Sequence, residues 1–295
     1  MTEERKVPLW PTAMPLLVAT WLVAAPAFGG VTGQWDFTNG LTATVGTDLQ
    51  YGDGAGGVTA GGTSFGKTSS FAIPGIMPID INGNPTGPVV DADVMKFPKM
   101  TTSAQGYKMW PGAAANGSYS AGDVNQYALV MDIYYPAAST NKYRALFQTS
   151  ATNSNDADWF IGDDAATPSP DGIGISGVYN GTIRPDTWYR IALVVNLDAG
   201  AGNPSYMKYI NGHLVGSQSI FGSRFAPWSA ASGNPSWILS DNDGETEVGY
   251  IDHVQFYDSA LSADQVAALG GIVPEPATLG LLALGGLALL RRRRA

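Results

Sequence analysis

The chain has no cysteine and only two histidines, His213 and His253. A disulfide frame, a thiolate nucleophile and a cysteine zinc site are therefore excluded. A serine–histidine–aspartate triad would have to use one of these two histidines, and no serine sits in the glycine setting of a nucleophile elbow. His213 reads as a residue tolerated at a hairpin corner, and His253 lies in a predicted strand. Charge is scarce as well, at 14% of residues, and glutamate scarcest of all: between residues 28 and 272 only Glu245 and Glu247 occur. Basic residues are outnumbered, 16 against 25 acidic, for a formal net charge of −9. Four of those 16 are the consecutive Arg291, Arg292, Arg293 and Arg294, so the body is more acidic than the whole. Such a surface repels nucleic acid and anionic membranes and attracts cations.

Glycine and β-forming residues are abundant. Thirty-seven glycines, nineteen prolines and many threonines, tyrosines and valines in 295 residues point to strands and turns rather than helical bundles. The length suits one large all-β domain.

Long apolar runs occur only at the two ends. Residues 16–25 are apolar and lead into Ala25-Pro26-Ala27, a small-x-small site after which signal peptidase is expected to cut. Glu3 and Glu4 cancel Arg5 and Lys6 there, so an uncleaved anchor is the alternative. At the other end, residues 277–290 are fourteen uncharged residues followed by the four arginines. At 1.5 Å per residue such a helix covers about 21 Å, short of the roughly 30 Å hydrocarbon core. The arginines would stay on the cytoplasmic side. The segment suits a transient inner-membrane anchor better than a permanent one.

Pro274-Glu275-Pro276, the apolar segment with its internal Gly285-Gly286 and the arginine cluster resemble the PEP-CTERM sorting signal. The resemblance implies that an exosortase, a membrane protease of the transpeptidase kind, removes the tail of an exported protein. Three regions follow: a signal peptide over 1–27, a body over 28–272 and a sorting signal over 273–295, with a helix expected in each terminal region.

Within the body, residues 33–54 read as two short strands with turns at Asn39-Gly40 and Gly52-Asp53-Gly54. The run GAGGVTAGGTSFG lacks the phosphate-binding form GxxxxGK[ST] and reads as a loop. From residue 74 to 116 proline, glycine and asparagine predict long surface loops. Strands are predicted over 125–135, 144–149, 172–179, 188–196, 206–210, 213–219, 237–240 and 250–257. In the strand 188–196, Tyr189, Ile191, Leu193 and Val195 alternate with Trp188, Arg190, Ala192 and Val194, placing it between two layers or under a partly covered sheet. Asn211-Gly212 is a type I′ hairpin turn. Ser262 opens and Gly270 ends a helix of about two turns.

This series from Val124 to Gly271 resembles the laminin-G-like branch of the concanavalin A-like lectin/glucanase superfamily. It implies a two-sheet antiparallel jelly-roll sandwich. Glycosidases of that superfamily carry two glutamates bracketing an aspartate on one strand, a pattern absent here. The acidic pairs Asp156/Asp158 and Asp163/Asp164 read as solvated surface charges. Asp241, Asp243 and Glu245 gather hard oxygen ligands around Gly244, a candidate calcium site of the kind the resemblance implies at a sandwich rim; an Asx-rich turn is the alternative. Trp159, Tyr179, Trp228 and Trp237 lie in or beside predicted loops and are candidate stacking platforms for sugar rings. The expected function is non-enzymatic glycan binding or adhesion in the cell envelope or extracellular matrix, with polysaccharide as the partner. A divergent glycoside hydrolase or lyase, and a structural matrix protein without a specific ligand, are the alternatives.

Overall fold

A computed structural model describes residues 29–150 and 156–272. The signal peptide, the apolar tail and the sorting motif lie outside the described residues. Among the described residues no helix is long and apolar enough to cross a membrane.

In chain order the strands are β1 (Val31–Trp35), β2 (Gln50–Tyr51), β3 (Ser64–Lys67), β4 (Asp93–Phe97), β5 (Tyr107–Met109), β6 (Gln126–Tyr134), β7 (Arg144–Gln148), β8 (Trp159–Ile161), β9 (Ile173–Ile175), β10 (Val178–Asn180), β11 (Trp188–Asn196), β12 (Tyr206–Ile210), β13 (His213–Gln218), β14 (Ser236–Ile238) and β15 (Gly249–Tyr257). The α-helices are α1 (Val58–Gly62) and α2 (Ala263–Leu269). All pairings between these strands are antiparallel. They form a two-sheet jelly-roll sandwich. The larger sheet runs β13-β12-β11-β6-β15-β4-β3, with β1 also on β15; the smaller runs β10-β9-β8-β7-β14-β5-β2.

The centre of the larger sheet follows from its alternation. On β6, Tyr127, Leu129, Met131 and Ile133 face inward, and on β11, Ile191, Leu193 and Val195 do the same; they meet Leu146, Phe147, Trp159, Ile161 and Ile238 from the smaller sheet. The outer face is apolar too, and it is covered. Ala128, Val130, Ala192 and Val194 pack under Leu261 and Val266 of the α2 region. Tyr134, Trp188 and Tyr250 pack under Ile76, Ile79 and Val90 of an irregular strap. The predicted two-layer position of β11 is therefore what the structure has.

Several local signals act as read. Asn211 and Gly212 both take positive φ, 49° and 82°, closing the β12–β13 hairpin. Ser262 caps α2 in a full capping box with Gln265. Other signals were misread. The glycine run holds α1 and leads into β3, and the segment expected to be all loop, 74–116, contributes β4 and β5. These strands are short and obtain their order from partners: β4 from β15, β5 from β14. No local periodicity announces them.

One buried polar pair crosses the outer face. Arg190 on β11 sits opposite Asp132 on β6, and its Nε and Nη2 donate to the two carboxylate oxygens at 2.8 and 2.6 Å. Its Nη1 donates to Leu269 O at 3.0 Å, at the C-terminus of α2. Removing one partner of a buried ion pair leaves an uncompensated charge, at a cost of about 3–5 kcal/mol. Asp132→Ala should lower stability by about that amount in urea unfolding. Replacing both partners with apolar residues, Asp132→Leu with Arg190→Met, should recover most of the loss. Equal losses in the single and double variants would refute this assignment.

Candidate functional site

The turn after β14 builds an acidic cluster. Asp241 is fully buried, and its Oδ1 accepts the N–H of Ala157 at 2.9 Å. Its Oδ2 accepts the N–H groups of Asp243 and Glu245 at 3.2 and 3.3 Å. Gly244 makes the turn possible, with φ of 88° and the backbone of Met100 and Thr101 close to where a β-carbon would stand. Asp156 comes from the smaller sheet's side, so that oxygens of Asp156, Asp241 and Glu245 all lie within 4.8 Å of one another.

Crowding of like charges shows in the acidities. Burial first, then the charges of Asp243, Asp241, Asp156 and Asp163, push Glu245 up to about 7. The hydrogen bond it shares with Asp241 is the main cause raising Asp243 to about 6. Burial, then Asp241, raises Asp156. Asp241 itself is held low: burial opposes its charge, but hydrogen bonds from Asp243 and from backbone N–H groups outweigh it. Tyr143 and Tyr179 wall the cluster, their rings 5.8 Å apart, and both phenols are raised by burial first and by neighbouring acidic groups.

Calcium takes six to eight oxygens at 2.3–2.6 Å, so donors around one ion stand at most about 5 Å apart. The three carboxylates meet this spacing, and hydrogen-bonded carboxylates keep lone pairs for an ion. The donor set therefore fits calcium. Asp241 and Glu245 are the ligands read from the sequence. Asp243, the third residue expected there, is instead hydrogen-bonded to Asp241, and the third carboxylate close to Asp241 and Glu245 is Asp156, which is exposed as the sequence suggests.

Asp158, unlike the exposed Asp156, is not the solvated surface charge expected. It is buried, accepting the N–H and hydroxyl of Thr149, each at 2.8 Å, and Arg224 Nε at 2.8 Å. Arg224 also donates from Nη2 to Asp156 O at 2.9 Å. This arginine joins the acidic cluster to an open groove of about 400 Å³, lined by Ser120, Asp123, Thr149, Ser223, Arg224 and Trp228 among others.

The groove sorts the aromatic candidates. Trp228 is 38% exposed and lies on its wall. The other three offer no free face. Trp159 is in the core between the sheets. Tyr179 is buried against Phe160 and Ala166, and Trp237 is buried with Lys108 Nζ 5.4 Å from its ring centre. Their positions on β8, β10 and β14, strands too short to show alternation, explain the misreading. Tyr119, exposed and 6.0 Å from the ring of Phe221, borders the same segments as Trp228 and was not singled out from sequence. His213 is exposed at the hairpin corner, where its Nε2 contacts Ile81 O; His253 is buried on β15 opposite Asp132.

The cluster sets a pH dependence with a definite sign. Glu245 moves from its ordinary value of 4.5 to about 7 on folding, so the folded chain holds this proton more tightly than the unfolded one. Stability from this group is fully present below about pH 4.5 and is lost as pH rises through about 7. In chelator, Glu245→Gln should be closest to the parent at pH 4.5 and more stable than it at pH 8. A stability difference that does not change across this range would contradict the acidity assigned here.

A family profile, Laminin_G_3 of the concanavalin A-like lectin/glucanases superfamily, matches residues 121–267. A second, the PEP-CTERM protein-sorting motif, matches residues 273–294. No curated protein matches the chain. Similar solved structures include domain 4 of AbnA, a GH43 extracellular arabinanase from Geobacillus stearothermophilus in complex with arabinotriose: 17% identity, 83% of this chain, 100% of that chain, TM-score 0.44. The CBM40 of a Ruminococcus gnavus IT-sialidase bound to α2,3-sialyllactose has 18% identity over 51% of this chain and 85% of its own, with TM-score 0.35. A heptameric SAP-like pentraxin from Limulus polyphemus has 18% identity over 50% and 70%, with TM-score 0.34. Residues 121–267 are thus similar to the concanavalin A-like lectin/glucanases superfamily, and residues 273–294 carry a match to the PEP-CTERM protein-sorting motif.

Proposed function

We propose that this protein is an exosortase-sorted component of the cell envelope or extracellular matrix whose jelly roll binds glycan without cleaving it. The sorting motif supports export and handling by an exosortase. Signal peptidase would remove residues 1–27, and the tail would anchor the body at the inner membrane until it is cut. The observation that carries the binding reading is the exposed Trp228 on the wall of a groove rich in hydroxyl and charged groups. An apolar ring beside hydrogen-bonding side chains is what a sugar needs, since sugars offer an apolar face and a rim of hydroxyls.

Calcium at Asp156, Asp241 and Glu245 belongs to the same proposal. When bound, the ion supplies positive charge that relieves the mutual repulsion of these carboxylates. Asp156 is tied through its carbonyl to Arg224, so neutralising the cluster also steadies one wall of the groove.

A hydrolase reading has one observation in its favour, the pairing of a high-pKa Glu245 with an ionised Asp241. The geometry argues against it. Asp241 is fully buried and both of its oxygens face backbone N–H groups, so it has no path to an anomeric carbon.

Affinity electrophoresis against β-glucans, alginate, agar and cellulose, with and without calcium, tests the binding reading. Retention by at least one of them is expected, weakened about fivefold by Trp228→Ala with melting unchanged, as suits the loss of one stacked ring. Release of reducing ends that Glu245→Gln abolishes would establish the hydrolase instead, and retention by none would favour a matrix protein without a ligand. Calcium should raise the melting temperature of the parent over its value in chelator and leave Asp156→Asn/Glu245→Gln unmoved, because a ligand stabilises only the state it binds. Equal melting of the parent in both would end the calcium assignment. Mass spectrometry of the mature protein from its host should show loss of the residues after Pro274-Glu275-Pro276; an intact Arg294-Ala295 terminus would reject sorting.

A further inference from the structure

A second groove, of about 410 Å³, lies on the outer face of the larger sheet, away from any acidic cluster. Its lining is almost wholly apolar: Met77, Ile79 and Val89 from the strap, Trp188 from β11, and Ile272. The structure holds it open. Trp188 Nε1 donates to Pro74 O at 2.9 Å, and Ile79 N donates to Ile272 O at 3.1 Å, fixing the strap at both edges. The strap itself is a loose hairpin, bridged at Ile76–Val90 and Ile79–Pro85, with its tip turned by Asp80 accepting the N–H groups of Asn82 and Asn84. Met77 is 44% and Val89 56% exposed on its rim. Apolar side chains of this size left open in a folded groove mark a place where something docks.

The position of Ile272 identifies the occupant. It lines the groove and is the last residue before Val273 and the Pro274-Glu275-Pro276 motif. The fourteen uncharged residues 277–290 therefore start within a few residues of an apolar groove. Leu279 lies seven positions after Ile272, a reach of up to about 25 Å, ample for a return to a groove that Ile272 itself lines. Tethering makes the encounter intramolecular, with an effective concentration that a short linker raises to about millimolar. The charges agree. No lysine or arginine lines the groove, Asp186 stands on its rim, and the tail brings four arginines to an acidic body. An anionic bilayer surface would find no cation here to hold it.

We propose that this groove receives the apolar segment 277–290 of the same chain, shielding its leucines from water until the segment is handed to the membrane. The proposal rests on the sorting reading only for the timing of release; the docking itself is a property of the folded chain. It makes the strap a holding site for the signal that follows it.

The absence of cysteine permits a direct test. In the monomeric full-length chain, Val89→Cys carrying a benzophenone maleimide is irradiated, and crosslinked peptides are mapped by mass spectrometry. Crosslinks within the same chain to residues 277–290 are expected. They should fall at least fivefold when Leu279, Leu281 and Leu282 are replaced by serine. A probe on Val178→Cys, on the other sheet, should give none of them. Crosslinks only between two chains, or only to lipid when zwitterionic or anionic vesicles are added, or a yield unchanged by the serine substitutions, would overturn the proposal. The sorting reading is tested apart from it: a chain that docks its tail but is never cut in its host refutes sorting alone.

Discussion

The salt bridge between Arg190 and Asp132 is the contact through which the outer layer of this molecule is held to its centre. The two residues lie on adjacent nine-residue strands, β11 and β6, and the guanidinium spans them in a bidentate fork. The remaining nitrogen reaches the last carbonyl of α2, and the backbone of Arg190 exchanges hydrogen bonds with Asn211 at the β12–β13 turn. One residue, through its side chain and its backbone, thus ties the sheet, the hairpin and the helix together. Apolar contacts under α2 and under the strap supply the burial, but they are non-directional and would accept a helix shifted along the sheet. The ion pair sets which arrangement forms.

The two grooves divide the surface between two chemistries. On one, polar side chains and Trp228 surround Arg224, whose own hydrogen bonds run back to Asp158 and Asp156 and so to the acidic cluster. On the other, an apolar wall stands where the chain passes from its body to its sorting motif. The acidic cluster is costly as it stands, since Glu245 and Asp243 keep protons that carboxylates normally give up. That cost is carried by a turn that only a glycine at position 244 accommodates. A polar groove and an apolar groove are thereby placed on separate parts of one sandwich.

Sequence patterns showed the long strands and several short ones, β14 within 237–240 among them, and missed β3, β4, β5 and β8. Strands β6, β11 and β15 have nine residues each, enough for alternation to be visible, and the hairpin at Asn211-Gly212 and the cap at Ser262 depend on local backbone chemistry alone. By contrast β5 and β8, which were not foreseen, have three residues each and exist because a neighbour pairs with them. Trp159 and Trp237 sit on strands of three residues, so their burial could not be inferred from spacing. The acidic turn at Asp241 was legible because its residues adjoin in sequence. Asp156 was not, being more than eighty residues away and brought in by the fold. Asp158 shows the same limit: its neighbour Asp156 is exposed, yet a pairing with Arg224 turns it inward.

The pairing of β1 with β15, and of β2 with β14 through β5, has a bearing on biosynthesis. A chain delivered from its N-terminus presents β1 through β5 long before the strands they need. β6 and β11 can pair first, but the middle of the larger sheet stays open on one flank until β15, which separates β6 from β4 and β1, has emerged. Closure therefore awaits almost the entire body, and contacts so distant along the chain form slowly. With no disulfide to trap a partial product, the early strands must remain unpaired without aggregating during that interval. The glycine-rich composition of residues 52–66 and the brevity of β2 and β3 reduce the number of exposed edges on which one nascent copy could template another.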